Sequence, residues 1–237
     1  MISTEIVGNY QSKMLTNNSI PFVNIHSHNA DVTDDICIYN CNDISEVELY
    51  FNRCSYGLHP WNVQSYQQID TFCHELELLL QKRNLLCVGE CGLDITKGID
   101  FELQLYAFSK QVELAQRFNV PIIIHCVRAY YEIISILKKQ RCTKPVIFHK
   151  FSGNSQIYSM CLKYDAYISL GPELCKHKSK HSVDFDFRLD RLLFETDTNS
   201  DVNISDVYNC FSEIYNIEFK QLKQQVYTNF LRVFQTK

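Results

Sequence analysis

Leu85-Leu86-Cys87-Val88-Gly89-Glu90 is a short apolar run closed by an acid, and Pro121-Ile122-Ile123-Ile124-His125 repeats the form with a histidine. Neither run alternates, as expected of parallel strands buried on both faces, and the bounding proline and glycine favour strand over buried helix. Six more runs extend the series: Pro21–Ile25, Asp35–Tyr39, Arg53–Leu58, Pro145–Phe148, Ala166–Leu170 and Arg191–Phe194. His26 and His28, His59, His149 and Asp197 follow four of these runs. From His28 through His59, Glu90, His125, His149 and Asp197 the steps are 31, 31, 35, 24 and 48 residues. A strand, a helix and their loops take about that many residues. Polar groups at the carboxyl ends of parallel strands converge on the face where (β/α) barrels keep their active sites. The expected fold is therefore α/β, a compact, distorted (β/α)8 TIM barrel in a single domain.

Between the runs lie helical patterns. Phe101, Leu105, Phe108, Val112, Ala115 and Phe118 form one apolar stripe, with Asp100 as its N-cap. Phe72–Lys82, Tyr130–Lys139, Ser205–Tyr215 and Phe219–Phe234 read similarly, and Pro145 keeps the Tyr130 helix from running on. The segment from His28 to Asp35 is too short for a helix, so the second strand is expected to be displaced or missing. Residues 1–20 read as a polar N-terminal arm and 21–237 as the TIM-barrel domain.

A chain of 237 residues with a net charge of −4 suits one barrel, for which roughly 250 residues is typical. That charge gives no global pull toward nucleic acid or an anionic membrane. Eleven cysteines with no CxxC pair read as reduced, buried thiols rather than a zinc ribbon. Met1–Ser19 lacks a continuous apolar stretch, and no run reaches the ~18 apolar residues of a membrane span. The expectation is a cytoplasmic protein with no membrane contact and no obligate protein partner.

His26-Ser27-His28 places two imidazoles on one side of an extended strand, within reach of one cation. Taken singly, each histidine is explained by packing. Falling together at strand ends, His26, His28, Glu90, His125, His149 and Asp197 offer the four imidazoles and two carboxylates that a pair of divalent ions needs, with Glu90 able to bridge. Mixed ligation of this kind suits Zn²⁺, Mn²⁺ or Fe²⁺ better than Mg²⁺, which prefers oxygen. Zn²⁺, Mn²⁺ and Mg²⁺ all stay open as the ion, one or two per chain. His59, in Gly57-Leu58-His59-Pro60-Trp61, either binds a substrate phosphate or packs. His74 reads as surface or helix packing, and the basic stretch Lys176–His181 as a solvated loop able to meet a phosphate backbone.

These residues resemble the TatD-like metal-dependent deoxyribonucleases, amidohydrolase-like barrels, from about Phe22 to Phe234. The resemblance rests on the HxH pair, Gly57–Trp61, Val88–Asp94, the helix with Gln104, Phe108, Gln111 and Leu114-Ala115, Pro121–Cys126, His149–Gly153 and Leu193–Asp197. It implies hydrolysis of DNA phosphodiesters, with the same six residues as metal ligands. His26, His28 and Asp197 would hold one ion and His125 and His149 the other, with Glu90 between them. Asp197 would also take the proton of the attacking water, so Asp197 and Glu90 are the catalytic candidates and His59 and Arg128 the substrate-binding ones. The chain departs from the family pattern at Asn24, usually an aspartate; at Arg128, three rather than two residues after His125; and at Thr198-Asn199, usually Ala-Pro. Two other readings stand beside this one: hydrolysis of a small ester, lactone or amide on the same barrel, and a metal-binding scaffold without turnover.

Overall fold

The computed structural model describes residues 20–29, 36–176 and 187–234. Its eight strands are β1 (Val23–Ser27), β2 (Ile36–Cys41), β3 (Cys54–Tyr56), β4 (Cys87–Asp94), β5 (Ile122–Val127), β6 (Val146–Phe148), β7 (Tyr167–Leu170) and β8 (Leu192–Phe194). The helices are α1 (Ile44–Leu49), α2 (Tyr66–Gln81), α3 (Phe101–Phe118), α4 (Tyr130–Lys139), α5 (Ser155–Lys163), α6 (Glu173–Lys176), α7 (Ile204–Tyr215) and α8 (Phe219–Phe234). The strands form one sheet in sequence order, and every pairing that is resolved in register is parallel. With helices between the strands and β1 bridged to β8 through Ser27 and Asp197, the fold is a (β/α)8 barrel.

All eight expected strands are present. The second is neither displaced nor missing: Ile36 pairs with Val23 and Cys37 with Asn24. β1, β4 and β5 run past the ends expected of them, so His26, Glu90 and His125 lie inside strands rather than beyond them. α2 starts six residues before Phe72, because the Ser65 hydroxyl caps its first turn by accepting from Gln68 N. α1 and α5 were not expected. Each buries only one or two side chains and has no apolar stripe, but each is started by a side-chain cap, Asp43 and Asn154 respectively. Asp100 caps α3 as expected, accepting from Glu102 N and Leu103 N. The N-terminal arm other than Ile20, and the basic stretch from His177 to His181, lie outside the described residues. No described helix is long and apolar enough to cross a membrane.

The chain divides into two compact units. The first comprises Met1–Tyr39 and Lys150–Lys237. Its described core sets Val23 and Ile25 of β1 and Leu192–Phe194 of β8 with Tyr208, Phe211 and Phe230, all buried. The Tyr208 hydroxyl donates to Val23 O and accepts from Val23 N, both at 3.1 Å, so this large ring enters the core with its polar end satisfied. Beyond that core the ends of β1 and β8 are zipped together: His28 N donates to Asp197 O and Asp197 N to His26 O, each at 3.0 Å.

The second unit is Asn40–His149 and holds β3–β6 and α1–α4. β4 shifts register against β5 between Val88 and Cys91, then pairs Gly92 with His125. Both glycines of that stretch carry positive φ, 150° at Gly89 and 152° at Gly92. A Cβ on Gly92 would stand 1.9 Å from His125 O, so only glycine lets β4 lie this close to β5. A Gly92→Ala variant should therefore lose at least about 2 kcal/mol of stability by overpacking against backbone. Urea unfolding checks this, with the midpoint expected to fall clearly below that of the parent protein.

Candidate metal centre

In the second unit four donor atoms converge, two from within β4 and β5 and two from the segments that follow β3 and β6. Glu90 Oε1 lies 2.5 Å from His125 Nδ1, 2.7 Å from His149 Nε2 and 3.3 Å from His59 Nε2. His125 Nδ1 is also 3.2 Å from His59 Nε2 and 3.4 Å from His149 Nε2. Glu90, His125 and His149 are buried and His59 is half-buried. A buried carboxylate is costly unless protons or a cation compensate it, and here three imidazoles crowd one of its oxygens.

The supports of this cluster are polar groups placed where they clamp backbone. Asn40 Oδ1 accepts from Glu90 N at 2.8 Å and from the Ser55 hydroxyl at 2.9 Å. Gln104 and Gln111 stand two turns apart on the buried stripe of α3. The Gln111 amide accepts from Leu58 N and donates to Leu58 O, fixing the residue before His59. The Gln104 amide does the same for Asp94, accepting from its N–H and donating to its carbonyl. Each buried amide thus satisfies both backbone groups of a strand end.

His59 has a tautomer set by its surroundings. Its Nδ1 accepts from Trp61 N at 3.1 Å, so in the neutral ring the proton sits on Nε2. Its ligand atom lies within 4.8 Å of those of Glu90 and His125, as metal ligands would. A protonated Nε2 has no lone pair for an ion, however, and His59 is instead a hydrogen-bond donor. His125 differs. Its Nδ1 faces Glu90, and its buried Nε2 makes no hydrogen bond among the described residues but lies 3.7 Å from Asp94 Oδ2. Burial pushes the His125 imidazole below its ordinary pKa, and Glu90 opposes that without cancelling it. The neutral ring is the form that binds metal.

Asp94 itself was not singled out by the sequence as a site residue. Burial raises its pKa, but hydrogen bonds from Thr96 and Trp61 outweigh burial and hold it below the usual carboxylate range. A carboxylate behind a ligand imidazole fixes the ring and raises its basicity. The buried Gln104 amide beside it was the available signal, a polar residue on an otherwise apolar helical stripe.

The first unit brings together His26, His28 and Asp197. Nε2 of each histidine lies 3.6 Å from Asp197 Oδ1, and the two ring centroids are 5.0 Å apart. His26 is fully buried and His28 half-buried. Asn24, where the family pattern has an aspartate, donates to Thr196 Oγ1 at 2.8 Å and accepts from Thr196 N at 3.1 Å. An ionised aspartate cannot make the first of these bonds, so the asparagine is matched to Thr196. Lys150 is a second residue that sequence reasoning missed. Its Nζ lies 2.7 Å from Asp197 Oδ2 and 3.3 Å from Glu173 Oε1, and its backbone N donates to Glu195 Oε1 at 2.9 Å. Burial lowers the Lys150 pKa, yet the hydrogen bond and charge of Asp197 prevail and raise it. Lys150 is 47 residues from Asp197 in sequence, and nothing near it marks the pair.

Arg128, expected to bind substrate, is exposed just after β5 with φ of 59°. His74 is exposed on α2, as expected of surface packing. All eleven cysteines are free thiols, and burial pushes Cys73 up to about 11 and Cys161 to about 12, as for inert structural thiols.

Each unit's donor set suits a divalent ion. Imidazole nitrogen with carboxylate oxygen is the ligation of Zn²⁺ and Mn²⁺, and the crowded Glu90 oxygen is accounted for once a cation shares the charge.

The family model described as TatD related DNase matches residues 18–235. A 3'-5' ssDNA/RNA exonuclease TatD from Erwinia tasmaniensis is 31% identical over 146 residues, which cover 60% of this chain and 56% of that protein. The chain thus spans little more than half the length of that curated relative. Among solved structures, YJJV, a TatD homologue from Escherichia coli K12, superposes with a TM-score of 0.76 at 20% identity, covering 91% of this chain and 98% of the other. A hydrolase TatD family protein from Entamoeba histolytica gives 0.70 at 17% identity, covering 91% and 99%. Both carry the same barrel fold.

Ligand linkage checks the site without any assay of activity. Zn²⁺ or Mn²⁺ at about a hundred times its dissociation constant should stabilise the protein by roughly 2.7 kcal/mol, a rise of about 5–10 °C in Tm for a chain of this size. In Glu90→Gln the rise should largely vanish under the same conditions.

Proposed function

The chain belongs to the TatD related DNase family, and from that premise we propose that it is a metal-dependent hydrolase cleaving phosphodiester bonds of DNA. The observation that supports this most is the meeting of Glu90, His125 and His149 donor atoms in one buried cluster. We assign the ligands as Glu90, His125 and His149 in one unit and His26, His28 and Asp197 in the other, with one or two ions per chain. The nitrogen-rich donor sets favour Zn²⁺ or Mn²⁺ over Mg²⁺. A divalent ion held by these donors supplies Lewis acidity, lowering the pKa of a water toward neutrality and taking up charge on the phosphate oxygens.

The chain's own groups do the rest. Asp197 accepts the proton of the attacking water. Lys150 holds the Asp197 carboxylate by one oxygen and leaves the other turned to the two imidazoles. His59, with its proton on Nε2, donates to a non-bridging phosphate oxygen, and Arg128 meets the neighbouring phosphate. Glu90 gathers the imidazoles of its cluster around one carboxylate oxygen. Single-stranded DNA is the favoured substrate, in line with the name of the Erwinia relative. Residues 21–237 act as one domain, and eleven free thiols favour a reducing compartment such as the cytoplasm.

Digestion of 3′-labelled single- and double-stranded DNA with Mn²⁺, Mg²⁺ or EDTA tests the activity, with elemental analysis of the same preparation. Nucleotide release should need the metal and stop in EDTA; its absence with every ion would turn the reading to small esters. Asp197→Asn should lower turnover at least about 100-fold while circular dichroism stays that of the parent protein.

A further inference from the structure

Trp61 is the only tryptophan of the chain, and it is 47% exposed. An exposed indole is ordinarily free to turn, but this one is held at three points. Its Nε1 donates to Asp94 Oδ2 at 2.7 Å, and Asp94 is 1% exposed. The other Asp94 oxygen accepts from the Thr96 N–H at 2.8 Å and the Thr96 hydroxyl at 2.6 Å, and Gln104 clamps the Asp94 backbone. Pro60 and the 3-10 turn Pro60–Asn62 fix the Trp61 backbone, whose N–H donates to His59 Nδ1. The indole is thus a preorganised surface in the second unit. Its ring centroid lies 4.8 Å from that of His59 and 5.7 Å from that of His125. The exposed Lys97 places its ammonium 4.3 Å from the indole centroid.

A rigid aromatic face beside donors for a metal, with the exposed Lys97 ammonium over that face, matches what a nucleotide next to a reacting phosphate requires. The base has a π face for stacking, and its phosphate carries the charge that Lys97 meets. We propose that Trp61 is the stacking platform for the unpaired nucleobase that flanks the scissile phosphate of single-stranded DNA, with Lys97 leaving the indole to pair with the adjoining phosphate. The inference rests on the nuclease reading and adds to it a substrate-selecting residue. A base within a duplex has both faces covered by its neighbours, so this platform favours single strands. The rigidity is part of the function, because an indole already fixed by Asp94 loses little freedom when a base stacks on it.

The single tryptophan reports on this directly. The full chain is titrated, with EDTA present so that no strand is cut, with a short oligothymidylate and with an abasic strand of the same length. Saturable quenching of Trp61 fluorescence by oligothymidylate, several-fold stronger than any by the abasic strand, is the expected result. Equal quenching by both strands, or none by either, would overturn the proposal. In the metal-loaded protein, the ratio of kcat/KM for base-bearing over abasic strand should fall about ten-fold in Trp61→Ala and recover most of that loss in Trp61→Phe. A ratio unchanged in Trp61→Ala would also overturn it. Quenching without cleavage of any strand would keep the platform and reject the nuclease, so the two readings fail separately.

Discussion

A buried carboxylate cannot remain ionised without compensation, and the second unit is organised around that constraint at Glu90. Three imidazoles reach its Oε1, from β5 and from the ends of β3 and β6. Bringing them there sets demands on the backbone that the rest of the unit meets. Gly92 lets β4 close on β5 beside His125, Asn40 fixes the Glu90 backbone, and Gln111 fixes the residue before His59. Each support holds the backbone beside a donor residue, so a disturbance at one is felt at the donor atoms.

The first unit meets the same constraint with fewer imidazoles and one ammonium. Asp197 divides its two oxygens, one toward His26 and His28 and the other toward Lys150. The division orients the carboxylate before any ion or substrate arrives. Asn24 braces the segment that carries Asp197. The amide, bonded to both the hydroxyl and the N–H of Thr196, ties β1 to the segment leading into Asp197 without adding another negative charge to an already acidic site.

Much of this was legible in the sequence, because buried parallel strands are continuous apolar runs and their ends carry the chemistry. The eight runs, the α3 stripe with its Asp100 cap, and the grouping of ligands at strand ends could all be read from residue types and spacing. The strand ends themselves could not. In β1, β4 and β5 a histidine, an acid or a glycine interrupts the apolar run while the backbone stays extended, so hydropathy stops before the strand does. The supports were hidden for a different reason. Lys150 and Asp197, or Asn24 and Thr196, meet only through the fold, and each is unexceptional in its local sequence. Gln104 and Gln111 were visible as polar interruptions of an apolar stripe, but their task, clamping the backbone of strand ends, depends on where those ends lie.

The proposed chemistry depends on a divalent ion at the Glu90 cluster. The most direct measurement is an anomalous difference map from crystals of the protein grown with Zn²⁺. The expected result is a peak bonded to Glu90 Oε1, His125 Nδ1 and His149 Nε2 at roughly 2.0–2.2 Å, with His59 outside bonding distance. A map with no peak at these three atoms, or with the ion bound through His59 in place of His149, would contradict it.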